Sequence, residues 1–440
     1  MGLTPAEATI KYSVPLSSMM RSSAFTVSTW LQKHGSGLRP RRLRVQAVAL
    51  AAGLWIAAGF TIATPGLFDR NGTLKGVDFL QFYTAAHLVA VGEGEGLYDW
   101  PAFAARLQTL VPGTGDLLFL SVYPPQLAVA LAPLGRLPYG WALALWSIVT
   151  VALYAACARL IARQFPVWPA SLPWWLPALA FVPFQQLLAH GQAGVLALVC
   201  FTGAWLALGR QRWVLFGFFL GSLCFKPSFL VAPALALLVA PRIAVVAGMA
   251  AAAAAQFVLV AIALGPEIWL AYAGKVRVLL ASPEIFEPKP WQMHSLKGFW
   301  QLLLGSGGLS FAVWAVSCVA VTAALVLVWR RAASTDLKAG ALVVTVVLVN
   351  PHLYVYDLVV LAVAFGALVR WGLQAPGAPM TRQVFALLHL LWWVPLAGPL
   401  AAITYVQPTP IVLAGLLATL VAAVSAPAAR ERPTAGLRSA

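Results

Sequence analysis

VQAVALAAGLWIAAGFTIAT, residues 45–64, follows a cluster of arginines: Arg39, Arg41, Arg42 and Arg44. The run holds no charged side chain. An α-helix rises about 1.5 Å per residue, so about 20 apolar residues cross the roughly 30 Å hydrocarbon core of a bilayer. The run is too long for the apolar region of a secretory signal, and no small-residue cleavage site follows it. It therefore reads as an uncleaved first span. Basic residues flanking a span stay on the cytoplasmic side, which puts the N-terminus inside.

The pattern repeats along the chain. Of 440 residues, 61% are hydrophobic and only 10% charged. Soluble domains carry about 25% charged residues and disordered chains more, so both classes are excluded. A membrane β-barrel would alternate apolar and polar residues instead of running them together. Further apolar segments fall at 117–134, 141–162, 174–190, 192–208, 213–225, 228–240, 243–264, 309–329, 339–350, 353–371, 384–402 and 405–424. The expected fold is an all-α polytopic membrane protein with 11–13 transmembrane or partly inserted helices, and larger outer loops at 65–116 and 265–308. Segments 213–225, 228–240 and 339–350 are short and read as broken or partly inserted helices, tolerated at membrane depth where they line a protein cavity.

The 29 Lys and Arg outnumber the 13 Asp and Glu, for a net charge of +16. In a membrane protein this excess reads as basic inner loops and tails facing anionic lipid, and nucleic acid is not expected as a partner. Three regions follow: a basic cytoplasmic tail at 1–44 with the composition of a disordered segment, a membrane domain at 45–425, and a cytoplasmic tail at 426–440. With both ends inside, segment 117–134 has the wrong parity. Either it is re-entrant or one of the short segments does not cross. No internal repeat is apparent, which counts against inverted-repeat transporters. Cys157, Cys200, Cys224 and Cys318 sit in apolar runs without metal-ligand spacing.

Nine of the 13 acids fall in the two outer loops: Asp69, Asp78, Glu93, Glu95, Asp99 and Asp116 in the first, Glu267, Glu284 and Glu287 in the second. A proton-coupled transporter places its acids mid-span. This distribution points instead to chemistry at the outer membrane face. Asp78 stands in Gly76-Val77-Asp78-Phe79, ahead of Phe79, Phe82, Tyr83 and Ala86 at helical spacing. That spacing predicts an amphipathic helix lying on the membrane surface. Asp78 can serve as its N-cap or as an acid presented to a substrate at headgroup level. Glu93, Glu95 and Asp99 read as solvated charges of a Gly-rich turn.

Within the apolar part, Lys226-Pro227 is the sharpest signal. Pro227 disfavours helix at Lys226 and suits the first turn of the next helix, so one helix should end where another begins. A helix N-terminus beside an ammonium group makes an anion site. Gly191-Gln192, with Gln185, Gln186 and His190 before it, interrupts another run and suits interhelical hydrogen bonds or ligand contact. Tyr123-Pro124-Pro125 fixes an extended entry to a segment. In Asn350-Pro351-His352-Leu353-Tyr354-Val355-Tyr356-Asp357, Asn350 can cap a following helix, His352 and Tyr356 would share a face, and Tyr354 and Asp357 can meet. Trp291, Gln292, His294, Ser295 and Lys297 form an aromatic and polar cluster that suits either sugar binding or a tryptophan at the membrane interface. No nucleotide-binding glycine fingerprint, Walker motif, His-Glu-x-x-His or nucleophile elbow occurs.

In order along the chain, Val77-Asp78-Phe79 with Tyr83 and Ala85-Ala86, Gly96-Leu97-Tyr98-Asp99, Tyr123-Pro124-Pro125, Gly191-Gln192, Gly217…Gly221…Lys226-Pro227, Ser295-Leu296-Lys297-Gly298 and Asn350-Pro351-His352 resemble glycosyltransferase family 87, within the C superfamily (GT-C) of membrane glycosyltransferases. The resemblance runs from residue 45 to residue 370. It implies a GT-C-like fold, a polyprenyl-phosphate sugar donor, most often mannose, and inverting transfer at the outer face of the plasma membrane. It maps the general base onto Asp78 and the donor phosphate near Lys226. Substrate contacts are expected at Tyr83, Tyr123, Gln192, His294, His352, Tyr354 and Tyr356. Asp78 stands without a second loop acid paired to it, so a metal-independent reaction with no cofactor is expected. The partners implied are the lipid-linked donor, a lipid or glycan acceptor, and membrane lipids. The rivals are a lipid-linked sugar flippase and a glycan polymerase or ligase using a polyprenyl-diphosphate donor.

Overall fold

The computed structural model describes residues 40–115, 117, 119–165, 172–281, 289–375, 378 and 380–426. Most of the two expected tails lies outside the described residues, as do Asp116, Glu284 and Glu287. Among the described residues the chain is helical. Its β pairing is confined to isolated bridges, Phe68 with Leu74 and Met293 with Tyr354.

The helices are, in order, α1 (Pro40–Ile62), α2 (Phe79–Ala90), α3 (Trp100–Leu110), α4 (Pro125–Leu131), α5 (Tyr139–Ala162), α6 (Trp175–Leu179), α7 (Val182–His190), α8 (Gly194–Gly209), α9 (Trp213–Gly221) and α10 (Val231–Val239). There follow α11 (Ile243–Leu264), α12 (Ile268–Ala281), α13 (Leu296–Leu304), α14 (Gly308–Arg331), α15 (Thr335–Val349), α16 (Leu361–Gln374), α17 (Thr381–Trp393), α18 (Ala401–Thr404) and α19 (Pro408–Ser425). Among the described residues, 7 helices are long and apolar enough to cross a membrane. They are α1, α5, α11, α14, α19, the 3-10 turn Val355–Val360 continued by α16, and α17 continued to Thr404. Shorter apolar helices at Gly194–Gly209, Trp213–Phe225 and Pro227–Val239, together with α15, fill the space between them. The chain is thus an all-α membrane-embedded protein.

Segment 117–134 makes only α4, of 7 residues, and a 3-10 turn at Leu134–Arg136. Seven residues rise about 10 Å, far short of a bilayer core. That segment is therefore not a span, which is one of the two ways out of the parity conflict. The two expected loops carry helices of their own: α2 and α3 in the first, α12 and α13 in the second.

α15 is buried along nearly its whole length and lies among α10, α14, α16 and α19. A helix apolar on all sides belongs in such a position. By contrast α1, α5, α11 and α14 leave Ile56, Ile148, Ile243 and Val316 exposed, as lipid-facing helices do. α9 and α11 approach until their backbones touch. A Cβ on Gly217 would land on the Val245 carbonyl, one on Gly248 on the Val214 carbonyl, and one on Gly221 would lie 2.6 Å from the Met249 Cα. This small-residue seam is what lets two membrane helices cross at backbone contact.

α2 corrects an expectation. Phe79, Phe82, Tyr83 and Ala86 do share a buried face, but Leu80, Thr84 and Leu88 are buried as well. α3, α4, α5 and the Leu134–Arg136 turn all pack on it. The helix is sunk in protein, not laid on a membrane surface.

Candidate active site

α7 ends at His190 because Gly191 takes the left-handed conformation, φ 68°, that closes a helix C-terminus. Gly191 must also lack a side chain, since a Cβ there would lie 2.6 Å from the Phe79 Cβ. Trp146 Nε1 donates to the Gly191 carbonyl at 3.0 Å. The Asp78 amide donates to the His190 carbonyl at 3.1 Å. The end of α7 is thereby fastened to the start of α2, and Gln192 falls beside Asp78. Gln192 Nε2 donates to Asp78 Oδ2 at 2.9 Å. From the other side the Tyr139 hydroxyl bridges the Lys75 and Gly76 carbonyls, at 2.8 and 2.9 Å, and fixes the approach to Asp78.

Asp78 occupies the N-cap position of α2, yet its backbone is already helical and its side chain makes no capping hydrogen bond. An N-cap carboxylate accepts from the second or third amide of its helix. This one turns instead to Gln192. The capping role is the one the geometry rejects.

α9 gives way to a 3-10 turn at Ser222–Phe225, Lys226 is extended, and Pro227 opens a second 3-10 turn at Pro227–Leu230. The break falls where Lys226-Pro227 predicted it. Lys226 is buried, and its ammonium pairs with the buried carboxylate of Asp357. Asp357 Oδ2 also accepts from the Tyr354 amide at 3.4 Å, the contact expected between residues three apart. The Tyr123 hydroxyl lies 3.5 Å from Gln192 Oε1 and stands against Lys226. Burial pushes the Tyr123 phenol above its ordinary value, so it remains a hydrogen-bond donor. Lys226 Nζ is 5.6 Å from the centre of the Tyr356 ring.

Asp78, Gln192, Tyr123, Lys226 and Asp357 thus form one polar cluster, with Tyr356 as its aromatic wall. Tyr356 lies 5.7 Å from the His190 ring and 5.6 Å from the Tyr354 ring. Tyr354 is in turn 4.9 Å from His352. Asn350 Oδ1 accepts from the His352 amide at 2.9 Å, which turns the chain without starting a helix. The helix that Asn350 was expected to cap begins only at Val355, so His352 and Tyr356 do not share a helical face.

Two expected contact residues lie apart from the cluster. The Tyr83 hydroxyl donates to the Leu137 carbonyl at 2.8 Å and braces α2. His294 is buried with Nδ1 2.8 Å from Thr409 Oγ1, while its amide donates to the Leu353 carbonyl at 2.9 Å. It holds the 350–354 segment from behind. Burial drives its pKa down to about 3, so its ring is neutral. Trp291 likewise offers its carbonyl to Gln407 Nε2 at 2.9 Å. Among the loop acids, Asp99 caps α3 and Glu93 pairs with Arg106.

The sequence alone joins neither Asp357 nor His190 to this group: Asp357 is spaced to meet Tyr354, and His190 stands as a polar neighbour of Gly191. An acid buried at the start of an apolar segment demands a cation, and Lys226 was the unclaimed one.

The family model described as "Glycosyltransferase family 87" matches residues 120–351, more than half of the chain. The match takes in Tyr123, Gln192, Lys226 and His294; Asp78 and Asp357 lie outside it and enter the cluster through the fold. No curated protein and no solved structure gives a match. With the helical membrane architecture and the family match together, the chain belongs to glycosyltransferase family 87 and is a membrane glycosyltransferase.

Proposed function

We propose that this protein transfers a sugar, mannose in the first instance, from a polyprenyl-phosphate donor to a lipid or glycan acceptor, with inversion at the anomeric carbon. The observation that carries the proposal is the freedom of the Asp78 carboxylate from capping, together with its place in a cluster that holds a buried lysine. A sugar phosphate already has a good leaving group, so one carboxylate suffices where a glycosidase needs two. Asp78 takes the proton of the acceptor hydroxyl as that oxygen forms a bond to the anomeric carbon. The bond from the anomeric carbon to the phosphate oxygen breaks, and the electron pair leaves with the phosphate. Lys226 meets that charge. An ammonium has three N–H donors, so one remains for phosphate oxygens beyond those engaged by Asp357 and Tyr123. Gln192 orients Asp78, and Tyr123 and Tyr356 line the path between base and cation. His352 and Tyr354 form its rim. The positive charge comes from Lys226, so no metal ion is invoked.

The arginines in the first turns of α1, Arg41, Arg42 and Arg44, support a cytoplasmic N-terminus and a site on the outer face of the plasma membrane. The test is reconstitution in liposomes with radiolabelled polyprenyl-phosphate mannose and membrane lipid extract. A new glycosidic bond formed by wild type and lost in Asp78→Asn is the expected result. Label that crosses the bilayer without forming a bond would mean a flippase, and use of a diphosphate donor alone would mean a polymerase or ligase.

A further inference from the structure

α1 is held to the body at few points. Only Ala47 and Leu50 are buried, and Trp55 Nε1 donates to the Leu179 carbonyl at 2.9 Å. Between α1, α7 and the Val394–Leu400 turn lies a groove of about 650 Å³. Its α1 wall is mostly apolar, with small residues at Ala49, Gly53, Ala57 and Ala58 between Leu50, Leu54 and Ile62. From Ala49 to Ile62 this wall runs about 20 Å at 1.5 Å per residue, somewhat more than one leaflet of hydrocarbon. The far end of the groove is polar, lined by Asp69, Thr73, Lys75, Gln186 and His190. The groove therefore has the profile of an amphiphile, apolar along its length and hydrogen-bonding at one end.

The polar end adjoins the site. Val77 and His190 line it, and the His190 carbonyl holds the Asp78 amide. His190 Nδ1 lies 2.8 Å from the Gln186 carbonyl, which can only accept, so Nδ1 carries a proton and is spent within α7. Lys75 spends two donors on the Thr64 and Gly66 carbonyls, at 2.7 and 2.9 Å. Asp69 Oδ1 accepts from the Asn71 and Thr73 amides, leaving its second oxygen. A carboxylate, a side-chain amide and an imidazole suit hydroxyl groups. The Asp69 carboxylate at this end repels an anion and so disfavours a phosphate.

We propose that this groove is the berth of the sugar acceptor, and that the acceptor is an uncharged, hydroxylated head on a single apolar chain. The proposal rests on the glycosyl-transfer reading above and adds to it the acceptor class and its side of entry. Neither Asp78 nor Lys226 lines the groove, but it reaches Val77, the neighbour of Asp78, and His190, whose carbonyl holds the Asp78 amide, whereas Lys226 stands on Tyr356, beyond His190. The acceptor must meet the base, and the donor phosphate must meet the lysine. The two lipid-linked substrates thus enter from different sides.

The probe is an alkyl mannoside bearing a diazirine near the end of its chain, used with the full-length protein in nanodiscs. Photolabel mapped by mass spectrometry should fall on residues 49–62 of α1 and on α7. Transfer from polyprenyl-phosphate mannose to the same glycoside is measured in parallel. A Cβ on Gly53 would meet nothing within 4 Å, so Gly53→Leu adds bulk to the groove wall with no clash at its first carbon. It and Ala57→Leu should raise KM for the alkyl mannoside about tenfold, the loss of burial of about two methylene groups, with kcat and donor KM unchanged. Ala52→Leu, on the exposed side of α1, should change nothing. Label elsewhere, an unmoved acceptor KM, or a raised donor KM overturns the proposal, and the photolabelling of wild type does not depend on any variant folding. Wild type that labels α1 but transfers no mannose would overturn the transferase reading alone, leaving an amphiphile site in the groove.

Discussion

Gln192 donates a 2.9 Å hydrogen bond to Asp78, a residue 114 positions earlier in the chain. The bond exists because Gly191 stops α7 against Phe79, at the first turn of α2. One helix end aims the amide, another aims the carboxylate, and neither side chain has to reach.

Asp78→Asn keeps the shape of this pair and removes the base. Transfer in proteoliposomes should fall by about 10²–10⁴-fold, the usual range for a positioned acid or base, with the melting temperature unchanged. Gln192→Ala should lower kcat about tenfold through misorientation of Asp78, a loss smaller than that of the base itself. Equal losses in both variants would mean that Gln192 does more than orient.

The Lys226–Asp357 pair is buried on both sides. Removing one partner of such a pair costs about 3–5 kcal/mol, because the other charge is left unpaired, whereas replacing both with apolar residues is often neutral. Lys226→Met and Asp357→Leu should each lower thermal stability in detergent. The double variant should recover most of that loss while staying inactive. Recovered activity would remove Lys226 from the phosphate.

Gly217→Val should be among the most damaging single changes, since its side chain would strike the Val245 carbonyl, which is backbone and cannot swing away. A loss of at least about 1–3 kcal/mol is expected from overpacking. Gly274→Ala, on α12 with nothing within 4 Å of the added carbon, should be neutral or gain up to about 1 kcal/mol in helix propensity. Thermal unfolding of both variants checks the contrast.

His294 should make stability depend on pH. Its folded pKa is depressed to about 3 from the ordinary 6.5, so below 6.5 the unfolded chain binds a proton that the folded chain refuses. The contribution is complete above pH 6.5 and is lost as pH falls from 6.5 toward 3. His294→Gln should flatten the melting temperature across that window. An equally steep profile in the variant would assign it to other groups.

Residue types carried the membrane architecture, because apolar run length and basic flanks are local properties. They also carried the break at Lys226-Pro227, which one proline enforces on its predecessor. The surroundings of α2 were not legible. An aromatic stripe at helical spacing says that one face is covered, but Leu80 and Leu88 are buried as well, and much of what packs on α2 comes from α4, the Leu134–Arg136 turn and α5, far downstream. The partner of Lys226 was hidden for the same reason, since Asp357 lies 131 positions away and only the fold joins them. His294 misled in another way: its residue type suited sugar contact, but its ring faces Thr409 in the interior.

That separation has a consequence for biosynthesis. A ribosome adding about 5–20 residues per second needs roughly 7–26 s to reach Asp357 after Lys226 has emerged. Through that interval the α9–α10 hairpin carries an unmatched cation, worth about 2.5–3.5 kcal/mol against insertion at the centre of a span. The glycine seam with α11 forms well before the counter-ion arrives, and can hold the hairpin in place meanwhile. Chains truncated between residues 265 and 356 should accordingly be poor membrane residents and ready targets for quality-control proteolysis.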